Sequence, residues 1–301
     1  MEQKKVSNAL QVGYVRRYTL TDGKENGLKV VELGNSTLRV LLNESKALDI
    51  MQVWYQGVNM SFVSKNGFTP RETPFLNRFE GGMLYSCGLD SIGGREGYTL
   101  HGTLHNNPAK VVEIREEADF LQVKAITEVT SLFGENLAIE RTVTLCGGKL
   151  KLEDNLINRG TKEENYCLLY HINVGYPMLD EGVEVLVDAA SIQPRTPHSA
   201  ANMGDQRIIP APMDNEEERC YFIQNNADFV TALNRKLGVK LTLTYSKDTL
   251  PYFLQWTSPA SQDYALGLEP ATSFLDDQFA YGQIAPQERK AFFVELNFEN
   301  L

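Results

Sequence analysis

Leu137-Ala-Ile-Glu-Arg-Thr-Val-Thr-Leu-Cys-Gly-Gly-Lys-Leu-Lys-Leu-Glu-Asp-Asn-Leu156 is the stretch that decides the fold. Leu137, Ile139, Arg141, Val143 and Leu145 alternate with Ala138, Glu140, Thr142 and Thr144. After the break, Leu150, Leu152 and Leu156 alternate with Lys151, Glu153 and Asn155. A period of two sends one set to a buried face and the other to water. Two such runs joined through Gly147-Gly148 are a hairpin signature. The run 121–129 joins the first through Gly134-Glu135-Asn136, so at least three antiparallel strands follow one another.

Outward from this hairpin, strand-like runs recur at 28–33, 38–43, 240–245, 252–256, 264–268 and 290–298. In the last, Phe292, Val294, Leu296 and Phe298 share a face opposite Glu295 and Asn297. Sustained helical periodicity is hard to find, and 44–56 and 214–219 are each expected to hold a short turn. Two stretches break the rhythm and are expected as long loops. One is 77–108, dense in glycine from Gly81 to Gly102; the other is 188–218, rich in Pro, Asn and Asp. No internal repeat or low-complexity linker divides the chain. The expectation is an all-β protein: one large antiparallel β-sandwich domain over 1–301, with a concave sheet face available as a groove.

The bulk numbers bound the function. With 301 residues, 42% hydrophobic and 23% charged, the chain has the composition of a globular protein with ample core. It has 39 acidic against 29 basic residues, a formal charge of -10, and no basic cluster; that excludes nucleic acid and anionic lipid as expected partners. No apolar run is long enough for a membrane helix, and the N-terminus lacks the apolar core of a secretory signal, so a cytoplasmic location is expected. Cys87, Cys146, Cys167 and Cys220 form no Cys-x-x-Cys pair and are expected as reduced, structural thiols, Cys146 and Cys167 as small buried residues. Phosphate-binding, dinucleotide-binding and serine-hydrolase motifs are missing. No cofactor and no metal is expected.

Candidate chemistry gathers on a few positions. If 264–269 is a strand, Ala265, Gly267 and Glu269 share a face opposite Tyr264, Leu266 and Leu268. The carboxylate then has only small neighbours and a hollow beside it, and Pro270 is expected to stop the ladder there. Taken alone, Glu269 reads as a solvated strand-end residue. His171 ends the apolar run Cys-Leu-Leu-Tyr-His, with Asn173 on its face; taken alone it reads as a packed histidine with one hydrogen bond. His101, Thr103 and His105 would share a face if extended. Zinc ligation by His-x-x-x-His in the manner of helical metalloproteases needs a helix and a Glu beside the first His; Gly102 and Pro108 disfavour the helix and the intervening residues are Gly-Thr-Leu. Asn77-Arg78 offers a planar cation for two ligand oxygens or an ordinary ion-paired loop residue, and Trp256 an apolar platform or simply a core residue. Tyr85 and Asp90 are weaker candidates in the same glycine-rich stretch.

These residues, in this order, resemble the aldose 1-epimerase (galactose mutarotase-like) superfamily, and within it a bacterial branch of mostly unassigned function. The resemblance runs from about residue 25 to the C-terminus and rests on Asn77-Arg78, Leu100-His101-Gly102, His171-Ile-Asn-Val-Gly-Tyr and Leu268-Glu269-Pro270. It implies a β-supersandwich with a sugar in its concave face. It also implies Glu269 as the base on the anomeric hydroxyl and His171 as the acid on the ring oxygen. Arg78 and His101 would then hold oxygens, with Asn77, His105, Asn173 and Trp256 as further substrate contacts. The expected activity is interconversion of anomers of a sugar or sugar acid, with a small-molecule sugar as partner and a homodimer left open. The alternative is a non-catalytic carbohydrate-binding protein on the same fold, with bond-cleaving chemistry ranked last for want of a second carboxylate. The chain departs from ordinary members in the shorter interval between His171 and Glu269. The sugar-binding aspartate expected there has three candidates, Asp205, Asp214 and Asp228.

Overall fold

The computed structural model describes residues 5–301. Strands β1 (Gly13–Thr19), β2 (Lys29–Asn35), β3 (Leu38–Asn43), β4 (Asp49–Tyr55) and β5 (Val58–Asn59) form a five-stranded sheet in chain order. A single turn of helix, α1 (Phe75–Arg78), precedes β6 (Leu84–Leu89). Next come β7 (Ala109–Glu116), β8 (Leu121–Thr130), β9 (Asn136–Cys146), β10 (Lys149–Asn158) and β11 (Glu164–Val174). Short β12 (Glu184–Leu186) and β13 (Ala189–Pro194) lead to α2 (Pro197–Ala201). The chain closes with β14 (Arg219–Asn225), β15 (Phe229–Asn234), β16 (Val239–Tyr245), β17 (Tyr252–Ser258), β18 (Ala265–Ala271), β19 (Gly282–Ile284) and β20 (Arg289–Asn300).

An eight-stranded sheet runs β12-β15-β16-β20-β10-β9-β8-β7, and a seven-stranded sheet runs β13-β14-β17-β18-β11-β19, with β6 also paired to β11. Every strand pair is antiparallel. One continuous apolar cluster runs from Val31 to Phe298 and draws on all three sheets. Each large aliphatic residue in it contributes about 1.5–3 kcal/mol by leaving water. Among the described residues no helix is long and apolar enough to cross a membrane.

The β9–β10 hairpin turns at Gly147, which has φ +55°, and Leu137, Ile139, Val143, Leu145, Leu150, Leu152 and Leu156 are all buried. Arg141 is buried with them, and its cross-strand partner is Asp154. Its guanidinium donates to both Asp154 oxygens at 2.9 and 2.8 Å, to Asp49 Oδ1 at 2.6 Å, to the Ala47 carbonyl at 2.9 Å and to Ser86 Oγ at 2.9 Å. Tyr170 Oη donates to Asp154, and Asp49 also accepts from the Ser86 backbone. This network ties β4 and β6 to the large sheet, and its satisfied donors are what make a buried guanidinium tolerable.

Several expectations are corrected. The short turn expected in 44–56 is present at its start, where Ala47 and Leu48 take positive φ, but the remainder is a strand, β4, that was not expected. The 77–108 stretch contains β6, whose six residues are all buried, so it carries no alternation to read. The 188–218 stretch contains β13 and α2. Pro270 does not stop the ladder: β18 continues to Ala271, and Pro270 pairs with Phe253 on β17. On the other side the pairing with β11 holds at Ala271 and from Leu268 back to Leu266 and lapses at Glu269 and Pro270, where Pro270 has no N–H to give. All four cysteines are free; Cys87, Cys167 and Cys220 are buried, whereas Cys146 ends β9 exposed.

Candidate functional site

The registers of β6, β11 and β18 align one row of side chains. Leu169 faces Ala271 and Ile172 faces Leu268, which carries His171 opposite Glu269. On the other side His171 faces Tyr85. Glu269, His171 and Tyr85 therefore stand side by side on one face of the sheet, and Trp256, Gly267 and Asn173 form the adjoining row. Gly267 explains how the first row fits. A Cβ there would lie 2.5 Å from Glu269 Oε1, 3.1 Å from His171 Cε1 and 3.1 Å from Trp256 Cβ. The hollow expected beside Glu269 is thus occupied by the carboxylate and the imidazole themselves.

Glu269 Oε1 lies 3.2 Å from His171 Nε2, without hydrogen-bond alignment, and both side chains are almost fully buried. His171 Nδ1 has no partner either. Three rings surround the imidazole: His101 at 5.4 Å between centroids, Trp256 at 5.5 Å and Phe79 at 5.9 Å. Loss of water holds His171 well below the ordinary histidine value, His101 adding to the effect and Asn173 opposing it. The same burial raises Glu269 to about 8, with Glu218 reinforcing the shift and Arg195 opposing it. Near neutral pH the pair holds one proton, on the carboxyl group.

Both residues line a cavity of about 830 Å³ whose walls include Phe62, Phe75, Phe79, Trp256, His101 and Asn77. His101 is presented by a turn rather than a strand, at φ +63°. The turn is clamped by Asp90, which accepts from the Thr103 backbone at 2.9 Å and its hydroxyl at 3.1 Å. His101 Nδ1 accepts the Gly93 N–H at 3.3 Å, which leaves Nε2 as the donor nitrogen of the neutral ring. Burial lowers its pKa to about 4, with Arg195 adding to the shift.

Three residues expected on the substrate are placed elsewhere. His105 sits on the 3-10 turn Leu104–Asn106, buried, with Nδ1 2.6 Å from Asp49 and Nε2 3.5 Å from Glu80. The chain reversal at His101 puts the two imidazoles in different environments, with the Tyr85 ring stacked on His105 at 3.8 Å and 6.4 Å from His101. Arg78 lies on the buried side of α1, with Nε unpartnered, and does not line the cavity. Asn173 is fully buried and donates to the His171 carbonyl at 2.9 Å. None of the three candidate aspartates lines the cavity. Asp205 pairs with Arg219 at 2.7 Å, Asp214 is exposed in a turn, and Asp228 lines a separate groove.

The cavity also holds charged residues that local patterning did not reveal. Glu218 accepts the Trp256 indole N–H at 2.7 Å. Arg195 is held by Asp276 through two bonds of 2.6 and 2.8 Å, and Lys65 by Asp263 at 2.7 Å. Glu218 falls in the interval between His171 and Glu269, the interval in which the resemblance implies an aspartate.

The fold is that of galactose mutarotase-like β-sandwiches. A solved candidate aldose 1-epimerase from Klebsiella pneumoniae superposes with a TM-score of 0.88 at 21% identity, covering 95% of this chain and 83% of that one. A galactose mutarotase-like protein from Clostridium acetobutylicum gives 0.72 at 14% identity, over 97% of this chain and 100% of that one. One from Lactobacillus casei gives 0.65 at 14% identity, over 90% and 100%. No curated protein matches the chain. The profile of a family described as a domain of unknown function, DUF4432, matches residues 25–297, and the chain belongs to that family.

Proposed function

We propose that this protein is a sugar isomerase that interconverts anomers by acid–base opening and reclosure of the ring. The observation that carries the reading is the contact between Glu269 and His171 on the wall of an aromatic cavity. The anomeric hydroxyl and the ring oxygen are bonded to the same carbon, so an acid and a base must act side by side.

One proton on the pair is the count the reaction needs. Passing it from Glu269 to His171, once a bound sugar brings the two groups into alignment, gives a carboxylate and an imidazolium. Glu269 then takes the proton of the anomeric hydroxyl as the carbonyl forms, the bond from the anomeric carbon to the ring oxygen breaks, and His171 protonates that oxygen. Rotation about the adjacent carbon–carbon bond and reversal of these transfers give the other anomer with the pair restored. His101 Nε2–H donates to a sugar oxygen, and the Trp256 face covers the ring's apolar side. A purely sugar-binding role draws on the aromatic walls but has no use for a carboxyl group raised to about 8.

The test is exchange spectroscopy between anomers across a panel of sugars, with Glu269→Gln as control. Catalysed exchange with at least one sugar, lost in the variant, supports the proposal; rates equal to buffer throughout overturn it.

A further inference from the structure

Around the cavity two cations, Arg195 and Lys65, face three carboxylates: Glu218 and Asp263 in its lining, and Asp276 just outside it. Its two lining cations are already engaged, Arg195 by Asp276 and Lys65 by Asp263. Glu218 adds a carboxylate whose recorded side-chain partner is the neutral Trp256 N–H, and Arg195 feels its field as well as that of Asp276. At that wall one guanidinium faces two carboxylates. His101 and His171 contribute no charge, since burial keeps both imidazoles neutral. Arg78 is buried off the cavity, where it and Glu80 act on Tyr85 with opposite signs. The buried Glu269 Oε1, unpartnered and on the cavity wall, marks the same space as one built for a polar ligand.

A carboxylate held against an indole is the combination that recognises an ammonium group. The aromatic face attracts the cation, and the carboxylate supplies the opposite charge. Phe62, Phe75 and Phe79 extend the aromatic surface around the same space. A sugar carboxylate or phosphate would instead meet the Glu218 carboxylate beside an Arg195 already doubly bonded to Asp276, and like charges brought together repel.

We infer that the cavity selects sugars bearing a free ammonium group, with Glu218 and Trp256 as the recognition pair, and rejects sugar acids and sugar phosphates. This rests on the proposed sugar site but not on its catalysis. Binding is measured by calorimetry at mildly acidic pH, where the amine is protonated. The probes are glucosamine and galactosamine, their N-acetyl forms, glucose, galactose, the two uronates and glucose 6-phosphate. At least one amino sugar is expected to bind about tenfold or more tighter than its N-acetyl and neutral counterparts, with no detectable binding of the anions. The preference is expected to shrink in added salt and to collapse in Glu218→Gln.

Equal affinity for amino and neutral sugars in the native protein overturns the inference, as does tighter binding of a uronate or phosphate. A folded Glu218→Gln protein that keeps the full preference overturns the assignment to Glu218. Amino-sugar binding without anomer exchange supports this inference while removing the isomerase reading. Exchange of neutral sugars with no ammonium preference does the reverse.

Discussion

His171 Nε2 and Glu269 Oε1 meet at 3.2 Å across neighbouring antiparallel strands, in a register that places the two residues directly opposite each other. The pair is therefore set by the sheet and not by a loop. Its geometry tolerates little change, and its protonation follows from enclosure by rings and apolar strands.

If the proposed mechanism holds, the shared proton sets an alkaline limit to anomer exchange. Glu269 has its pKa raised to about 8 by burial, so above that pH the pair holds no proton and ring-oxygen protonation has no source. The rate of anomer exchange should fall as pH rises through about 8. A plateau extending well past that value would contradict the one-proton pair.

Keeping Glu269 buried should weaken the fold. Its pKa is raised on folding, from an ordinary 4.5 to about 8, so between those values the unfolded chain releases a proton that the folded chain retains. Stability from this group falls as pH rises across that window and is lowest above it. Glu269→Gln should be as stable as the native protein in acid and more stable at neutral pH, by about 2–4 °C in melting temperature per kcal/mol recovered. Denaturant titrations at several pH values check this; a variant less stable at neutral pH would refute it.

Gly267→Ala should disable the site with the fold intact. The added methyl carbon would stand 2.5 Å from Glu269 Oε1 and 3.1 Å from His171 Cε1, and the carboxylate is the end most free to move. Displacement of a reacting group by about 1 Å can cost about a hundredfold in rate. Anomer exchange should fall by that order while circular dichroism stays native-like.

The buried Arg141 network should be far less forgiving. Removing one partner of a buried, hydrogen-bonded ion pair costs about 3–5 kcal/mol, because the other charge is left unpaired. Arg141→Ala strands Asp154 and Asp49 together and should lower stability by at least that amount in urea unfolding. Change below about 1 kcal/mol would show that the network contributes little.

What could be read in the sequence followed the solvent. In β9 and β10 one face is wet, so alternation is visible, and it correctly turned Arg141 inward without revealing Asp154 as its partner. In β6 and β14 almost every residue is buried, and a strand wet on neither face leaves no period to detect. His171 and Glu269 lie on strands, where parity fixes the face. His101 and His105 do not, because positive φ at His101 breaks the parity used to align them. Phe75, Arg195 and Glu218 come from segments far apart in the chain, and only the tertiary fold brings them to one cavity.

The most direct measurement of the acid–base pair is magnetisation exchange between the two anomers of a bound-and-released sugar, comparing the native protein with Glu269→Gln and with His171→Gln. The account predicts exchange above the buffer rate for the native protein and a loss of about 10²–10⁴ in each variant, with sugar binding retained. A native rate indistinguishable from buffer, or variants that exchange as fast as the native protein, would contradict it.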